Sequence, residues 1–223
     1  MFTRRSFIKS SALAAGGLLL PWRSRRALAA IPGGTLPPGS VAKYVAPLIA
    51  PSPMPRTSRL RTADGQLVDY YEIAVRQFQQ QVLPASHPAT TVWSYGNPRF
   101  GRGFLYPAYS IEARHGIPVR VKWINQLVDS RGNFLPHLLP VDPTLHWANP
   151  PGPIDTRPSF ESTPPPYTGP VPMVTHVHGA HTHEESDGYP EAWYLPQARN
   201  IPAGYAADGT WYDTFRERFR AKW

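Results

Sequence analysis

Four of the eight histidines fall within the eight residues His176 to His183, in the stretch "THVHGAHTH" that opens at Thr175. Imidazole is a good ligand for copper and zinc, so metal binding is the first chemistry to weigh here. In an extended segment, residues two apart leave the same face, which puts the bases of His176 and His178 roughly 6–7 Å apart. That is wide for two ligands of one ion. It suits two neighbouring ions that take one imidazole each. Gly179 would let the backbone approach something at the end of the segment. His181 and His183 repeat the spacing across an expected turn, where ordinary surface histidines are the simpler account. An acidic loop, "EESDGYPEAW", follows at once. Asp187-Gly188 is a tight-turn dipeptide. An acid just past metal-bound histidines can orient an imidazole or take up protons; the plainer reading of Asp187 is a turn residue. Tyr189, Pro190, Ala192 and Trp193 would form an apolar lid, or Trp193 could simply be core.

The elements that must position these groups read as strands. "DYYEIAVRQF" (69–78) and "TTVWSYGN" (90–97) are rich in aromatic and β-branched residues, the second closed by a Gly-Asn-Pro turn. "AYSIEAR" (108–114) leads into the turn His115-Gly116. "IPVRVKWIN" (117–125) alternates, with Val119, Val121 and Trp123 on one face and Arg120 and Lys122 on the other. "MVTHVHG" (173–179) is the next expected strand. "WYDTFRERFRAKW" at the end reads either as a short helix or as an edge strand. The 28 prolines cluster. Those of 31–40 and 46–57 predict an extended arm that cannot be helix. The excursion 139–172 has no period, but Leu145, Trp147, Phe160 and Tyr167 predict an ordered loop packed on a scaffold. Short strands, regular turn signals and Pro-rich loops together predict an all-β sandwich or barrel.

The first 29 residues read as an export signal. Arg4 and Arg5 precede Phe7 and Lys9, an apolar run from Ala12 to Leu20 follows, and "RRALAA" supplies an Ala-x-Ala cleavage pattern. The run is too short to span a bilayer, and the paired arginines match a twin-arginine signal. The expected location is periplasmic or extracellular. Six basic residues and no acid lie in this stretch, so the formal charge of +8 falls to about +2 for the rest of the chain. With no basic run interleaved with aromatics, nucleic acid is not an expected partner, and neither is a membrane once the signal is removed. The chain has no cysteine, which removes disulfides, a thiol nucleophile and thiolate metal ligands.

The stretch "HVHGAHTHEESDGYPEAW" resembles the first copper motif of multicopper oxidases of the spore-coat laccase and bilirubin oxidase branch. "YSIEARHGIPVRVKWINQL", "LPVDPTLHW", "TVWSYGN" and "KYVAPLIAPSP" resemble that family's preceding strand pair, entry loop, early strand and N-terminal arm. The departure is "PAYS" (107–110), where the family often has Gly-Pro-Thr. The resemblance implies a cupredoxin-like Greek-key β-sandwich, divided as signal 1–29, Pro-rich arm 30–62 and first cupredoxin domain 63–223. It implies that His176 binds the type 2 copper, that His178 binds a type 3 copper, and that Asp187 assists proton delivery during dioxygen reduction. His181 and His183 match no copper ligand of the family.

The family's chemistry passes single electrons from a small reducing substrate through a type 1 copper to three coppers that reduce dioxygen to water. The type 1 site needs a cysteine thiolate with two histidines. The three-copper site needs eight histidines in four His-x-His pairs, and one pair matches here. The expectation is therefore an N-terminal part of such an oxidase. It would oxidise phenolic, bilirubin-like or metal-ion substrates only in a complete enzyme, with a second chain as one way to complete it. It would be inactive alone, and its sandwich would be incomplete with an open sheet edge. The alternative is a periplasmic copper- or zinc-binding module using the whole His176–His183 cluster. A third possibility is an inert fragment. Hydrolase chemistry is disfavoured: "HGAHTHEE" lacks the helical His-Glu-x-x-His spacing.

Overall fold

The computed structural model describes residues 34–101, 103–141, 148, 150–151 and 167–222. The expected signal and its cleavage site, and Leu145, Trp147 and Phe160 of the long excursion, lie outside the described residues. Leu36–Trp223 form one compact unit.

Four strands make one open sheet: β1 (Ser58–Arg61), β2 (Leu67–Gln80), β3 (Thr90–Gly96) and β4 (Val119–Asn125). Its fold is mostly β, the open and largely antiparallel sheet of a cupredoxin-like β-sandwich. β2 is the spine. Asp69 and Tyr70 pair with both β1 and β4, while Ala74 and Val75 pair with both β3 and β4. β4 therefore runs parallel along one edge of β2. β1 and then β3 run antiparallel along the other edge. Among the described residues this is the only sheet, so the second layer of a sandwich is not formed by strands there.

The alternation within each strand decides which face is buried. Tyr71 and Ile73 of β2 stand in register with Val121 and Trp123 of β4, and with Met54, Tyr109 and Val119 they form one core cluster. Val75, further along the same face, packs with Leu127, Val171, Trp93 and Met173 in a second cluster. Ile73 keeps only 1% of its surface exposed, and burying such a side chain contributes about 1.5–3 kcal/mol. The expected Val119/Val121/Trp123 face is thus the core face. The expected turns are present as well: Ile117 N–H donates to the Arg114 carbonyl across Gly116, and Arg99 N–H donates to Asn97 Oδ1 after β3.

Three elements differ from the sequence reading. Residues 108–114 form no strand. Ser110 makes a single bridge to Pro53 of the arm, and a proline there has no N–H with which to extend a ladder. Residues 173–179 form no strand either. Met173 bridges Tyr194 with both backbone hydrogen bonds at 3.0 Å, but prolines at 170, 172, 190 and 196 flank the two segments. Residues 46–57 form no helix, as expected, and make one bridge at Pro53, but Pro38–Ser40 closes one 3-10 turn. The C-terminal ambiguity resolves as helix α1 (Tyr212–Lys222). The helix places Phe215 and Phe219 one turn apart, and its charges pair at i,i+3 spacing, Asp213 with Arg216 and Glu217 with Arg220.

Candidate metal centre

The histidine stretch leaves the core at Val171, which is buried, and reaches solvent by His176. Two tethers hold its ends. The amide Nδ2 of buried Asn125, the last residue of β4, donates to the Val171 carbonyl at 2.9 Å and to the Tyr194 carbonyl at 3.3 Å, and Leu127 N–H donates to its Oδ1 at 3.3 Å. One side chain therefore grips the backbone before and after the loop. Next to His176, Thr175 Oγ1 and the Tyr194 hydroxyl lie 2.8 Å apart. Burial pushes the Tyr194 phenol up to about 12, so it stays protonated and able to donate.

His176 and His178 both reach solvent, with ring centroids 5.8 Å apart and planes inclined by 73°. They neither diverge nor lie sealed in an apolar interior. His176 Nδ1 lies 3.1 Å from the Val174 carbonyl. A carbonyl only accepts, so Nδ1 carries a proton and donates; in the neutral ring Nε2 is then the nitrogen with a lone pair for a metal. The shared direction expected of a strand survives although the backbone is irregular.

The acidic loop folds back beside this ring. Glu184–Ser186 form a 3-10 turn, closed by the Asp187 N–H donating to the Glu184 carbonyl at 3.2 Å. Asp187 is exposed, and its carboxylate accepts no hydrogen bond among the described residues. Gly188 has φ +78°, and a Cβ placed there would stand 3.0–3.1 Å from three atoms of the His176 ring. The loop backbone thus rests against the imidazole face. His181 and His183 are exposed and take no part in this contact. Trp193 is buried core, whereas Tyr189 packs against Trp211 and Phe215 at 5.5 and 5.4 Å. A cleft of about 380 Å³ opens between the loop and α1, with Trp123, Thr175, Gly188, Tyr189 and Tyr212 among its walls.

The donor chemistry fits copper in part. Two imidazoles share one exposed face, and one of them is held in the ligating tautomer. Among the described residues, no three His, Cys, Asp or Glu side chains converge closely enough to hold an ion between them. Sequence reasoning missed Asn125 and the role of α1. An amide at a strand end and a Phe-Arg-rich tail carry no signal of what they touch.

No family model matches the chain. A laccase of Haloferax volcanii is 32% identical over 224 residues, which covers 98% of this chain and 32% of that protein. A laccase of Bacillus subtilis is 33% identical over 125 residues, covering 56% of this chain and 19% of its own length. The multicopper oxidase LPR1 of Arabidopsis thaliana is 33% identical over 107 residues, covering 48% and 14%. The chain belongs to the multicopper oxidase family. It spans about a third of the Haloferax volcanii laccase's length and less of the other two. The relatives' name, multicopper oxidase, points to copper as the metal to weigh at this site. The absence of cysteine means that these 223 residues hold no thiolate for a type 1 copper.

Proposed function

We propose that this chain supplies the first pair of copper ligands of a laccase-like oxidase, His176 to the type 2 copper and His178 to a type 3 copper. The observation that carries the reading is the pair itself: two exposed imidazoles 5.8 Å apart on one side of a loop, one of them with Nε2 left free by the Val174 carbonyl. That geometry offers one ligand to each of two neighbouring ions and closes neither site. Copper, when bound, supplies the one-electron chemistry by which dioxygen is reduced to water. The chain's own residues hold and orient. Val174 fixes the His176 tautomer, Gly188 backs its ring, and Asp187, exposed in the adjoining turn, is the group that carries protons. The remaining ligands, the type 1 thiolate and the pocket for a phenolic, bilirubin-like or metal-ion substrate come from polypeptide outside these residues. That polypeptide is in the same chain or in a second one, and the chain alone is inactive. Its setting is the periplasm or the cell exterior, reached by the twin-arginine route.

Titration of the purified chain with Cu(II), followed by NMR of the histidine rings, tests the reading. His176 and His178 broaden first, and a His181→Ala/His183→Ala variant titrates like the parent. Two results would overturn the reading. In one, a His176→Ala/His178→Ala variant binds copper as well as the parent. In the other, the unsupplemented chain oxidises a phenol catalytically. Preferential loss of binding in the His181→Ala/His183→Ala variant would instead favour a metal carrier.

A further inference from the structure

Helix α1 and the turn just before it contribute no metal ligand, yet both are fastened to the acidic loop. The Tyr189 ring is clamped by Trp211 at 5.5 Å and Phe215 at 5.4 Å, and those two rings lie 5.8 Å from each other. Phe215 is 8% exposed, so this clamp is anchored rather than loose. Trp211 N–H donates to the Glu191 carbonyl at 3.0 Å, and Gly209 N–H to the Trp193 carbonyl at 2.8 Å. At the other end of the loop, Arg218 Nη1 donates to Glu184 Oε1 at 3.1 Å. Between these fastenings stands Gly188, where a Cβ would stand 3.0–3.1 Å from three atoms of the His176 ring.

We infer that Tyr189 is a positioning residue for the His176 imidazole: clamped by Trp211, just before α1, and by Phe215 of α1, it holds the Gly188 backbone against the ring face. The ring is then confined between two backbone elements. The Val174 carbonyl takes the Nδ1 proton from one side, and Gly188 blocks rotation from the other. An exposed imidazole without such walls samples several rotamers and exchanges its proton between both nitrogens. Confinement keeps Nε2 aimed outward with its lone pair, which raises its competence as a ligand before any metal arrives. The glycine is favoured twice over, by its left-handed φ of +78° and because a Cβ there would stand 3.0 Å from the ring. A side chain there would require the ring to shift by a few tenths of an ångström.

The inference rests on His176 being a ligand, but its first test needs no copper. Ring ¹⁵N shifts of the metal-free chain are measured near pH 8, above the ordinary imidazole range. The parent shows His176 with Nδ1 protonated. Tyr189→Ala shifts His176 toward an average of both tautomers while His115 and His87, far along the chain, keep their signals. Gly188→Ala moves the same signals by displacing the ring directly. Cu(II) affinity then falls about 10-fold in either variant, the size seen when a group that orients a metal-bound histidine is lost. Unchanged His176 shifts in a folded Tyr189→Ala protein would overturn the inference. Should that protein not fold, Tyr189→Leu keeps the apolar volume without the ring stacking and answers the same question. If the parent His176 takes no copper while the tautomer responds as described, the ligand assignment fails and the positioning stands.

Discussion

Replacing Asn125 by alanine should cost more stability than almost any other polar substitution in the chain, and its size can be worked from the contacts. Asn125 is 5% exposed. Its amide donates to Val171 and Tyr194, and its carbonyl oxygen accepts from Leu127. Removing it does not harm all three partners equally. The Tyr194 carbonyl still accepts from Met173 N–H at 3.0 Å. The Val171 carbonyl and the Leu127 N–H have no second partner among the described residues, and both residues are buried, at 5% and 1% exposed. Each buried group left unpaired costs about 1–3 kcal/mol, so the sum for the two is about 2–6 kcal/mol. That is a large part of the total stability of about 5–15 kcal/mol that a domain possesses.

Urea denaturation of the parent and of Asn125→Ala measures the difference. A loss below about 1 kcal/mol, the size of an ordinary exposed hydrogen bond, would refute the reasoning. Asn125→Asp separates the donor from the acceptor role. It keeps an oxygen for Leu127 N–H but turns a carboxylate toward two carbonyls. Protonation restores a donor, so the native state binds that proton more tightly than the unfolded state. The variant's stability therefore falls as pH rises through that window and recovers on acidification. A pH-independent loss would show that the amide protons are not what matters.

Asp69 gives the pH dependence of the parent. Burial works to raise its carboxyl, but the Arg59 hydrogen bond at 3.0 Å and the neighbouring Arg56 charge outweigh burial and hold it below the ordinary carboxylate value. A depressed acid stabilises above its unfolded value of about 3.9 and loses that contribution as pH falls through the folded value. The stability gap between the parent and Arg59→Met should thus be full at pH 7 and close below about pH 4 in thermal melts; a constant gap would contradict it. Gly96→Ala should cost at least about 3 kcal/mol or abolish folding, because its Cβ would stand 1.8 Å from the Gly103 carbonyl; circular dichroism and denaturation decide. Arg99→Ala should change stability by less than about 1 kcal/mol in the same assay. Its bidentate pair with Glu72 has good distances of 2.8 and 2.9 Å, but Arg99 is 62% exposed.

The parts of this fold legible in the sequence are those where a local pattern and a tertiary face coincide. β2, β3 and β4 could be placed because alternation along "IPVRVKWIN" and the β-branched runs are properties of the strands themselves. The histidine pair was legible because its i,i+2 spacing survives in any extended backbone. The expectation failed where a partner decides. "AYSIEAR" has strand composition, but the segment beside it carries Pro53, which donates no backbone hydrogen bond. "MVTHVHG" has strand composition too, but it pairs across from a segment broken by Pro190 and Pro196. The tail "WYDTFRERFRA" supports either period, and contact of Phe215 with Tyr189 selects the helix. Met54 enters the core from between two prolines, which no periodicity could announce.

These failures share a physical reason with the site. A ligand pair that must be shared with ions completed from elsewhere has to stand on backbone that faces outward. Such backbone cannot be paired on both sides within a sheet. Prolines at 170, 172 and 190 enforce that exposure by withholding ladder donors. What irregular backbone lacks in order must then come from outside it. Here it comes from the Asn125 amide at the root of the loop, the Thr175–Tyr194 hydroxyl contact beside His176, and the α1 clamp on Tyr189. Each of these three supports draws on a residue more than ten positions away in sequence from His176: Asn125, Tyr194 and Phe215. Substitutions that leave every histidine untouched should therefore alter copper binding, and a search confined to the histidine motif would overlook the residues that make it a site.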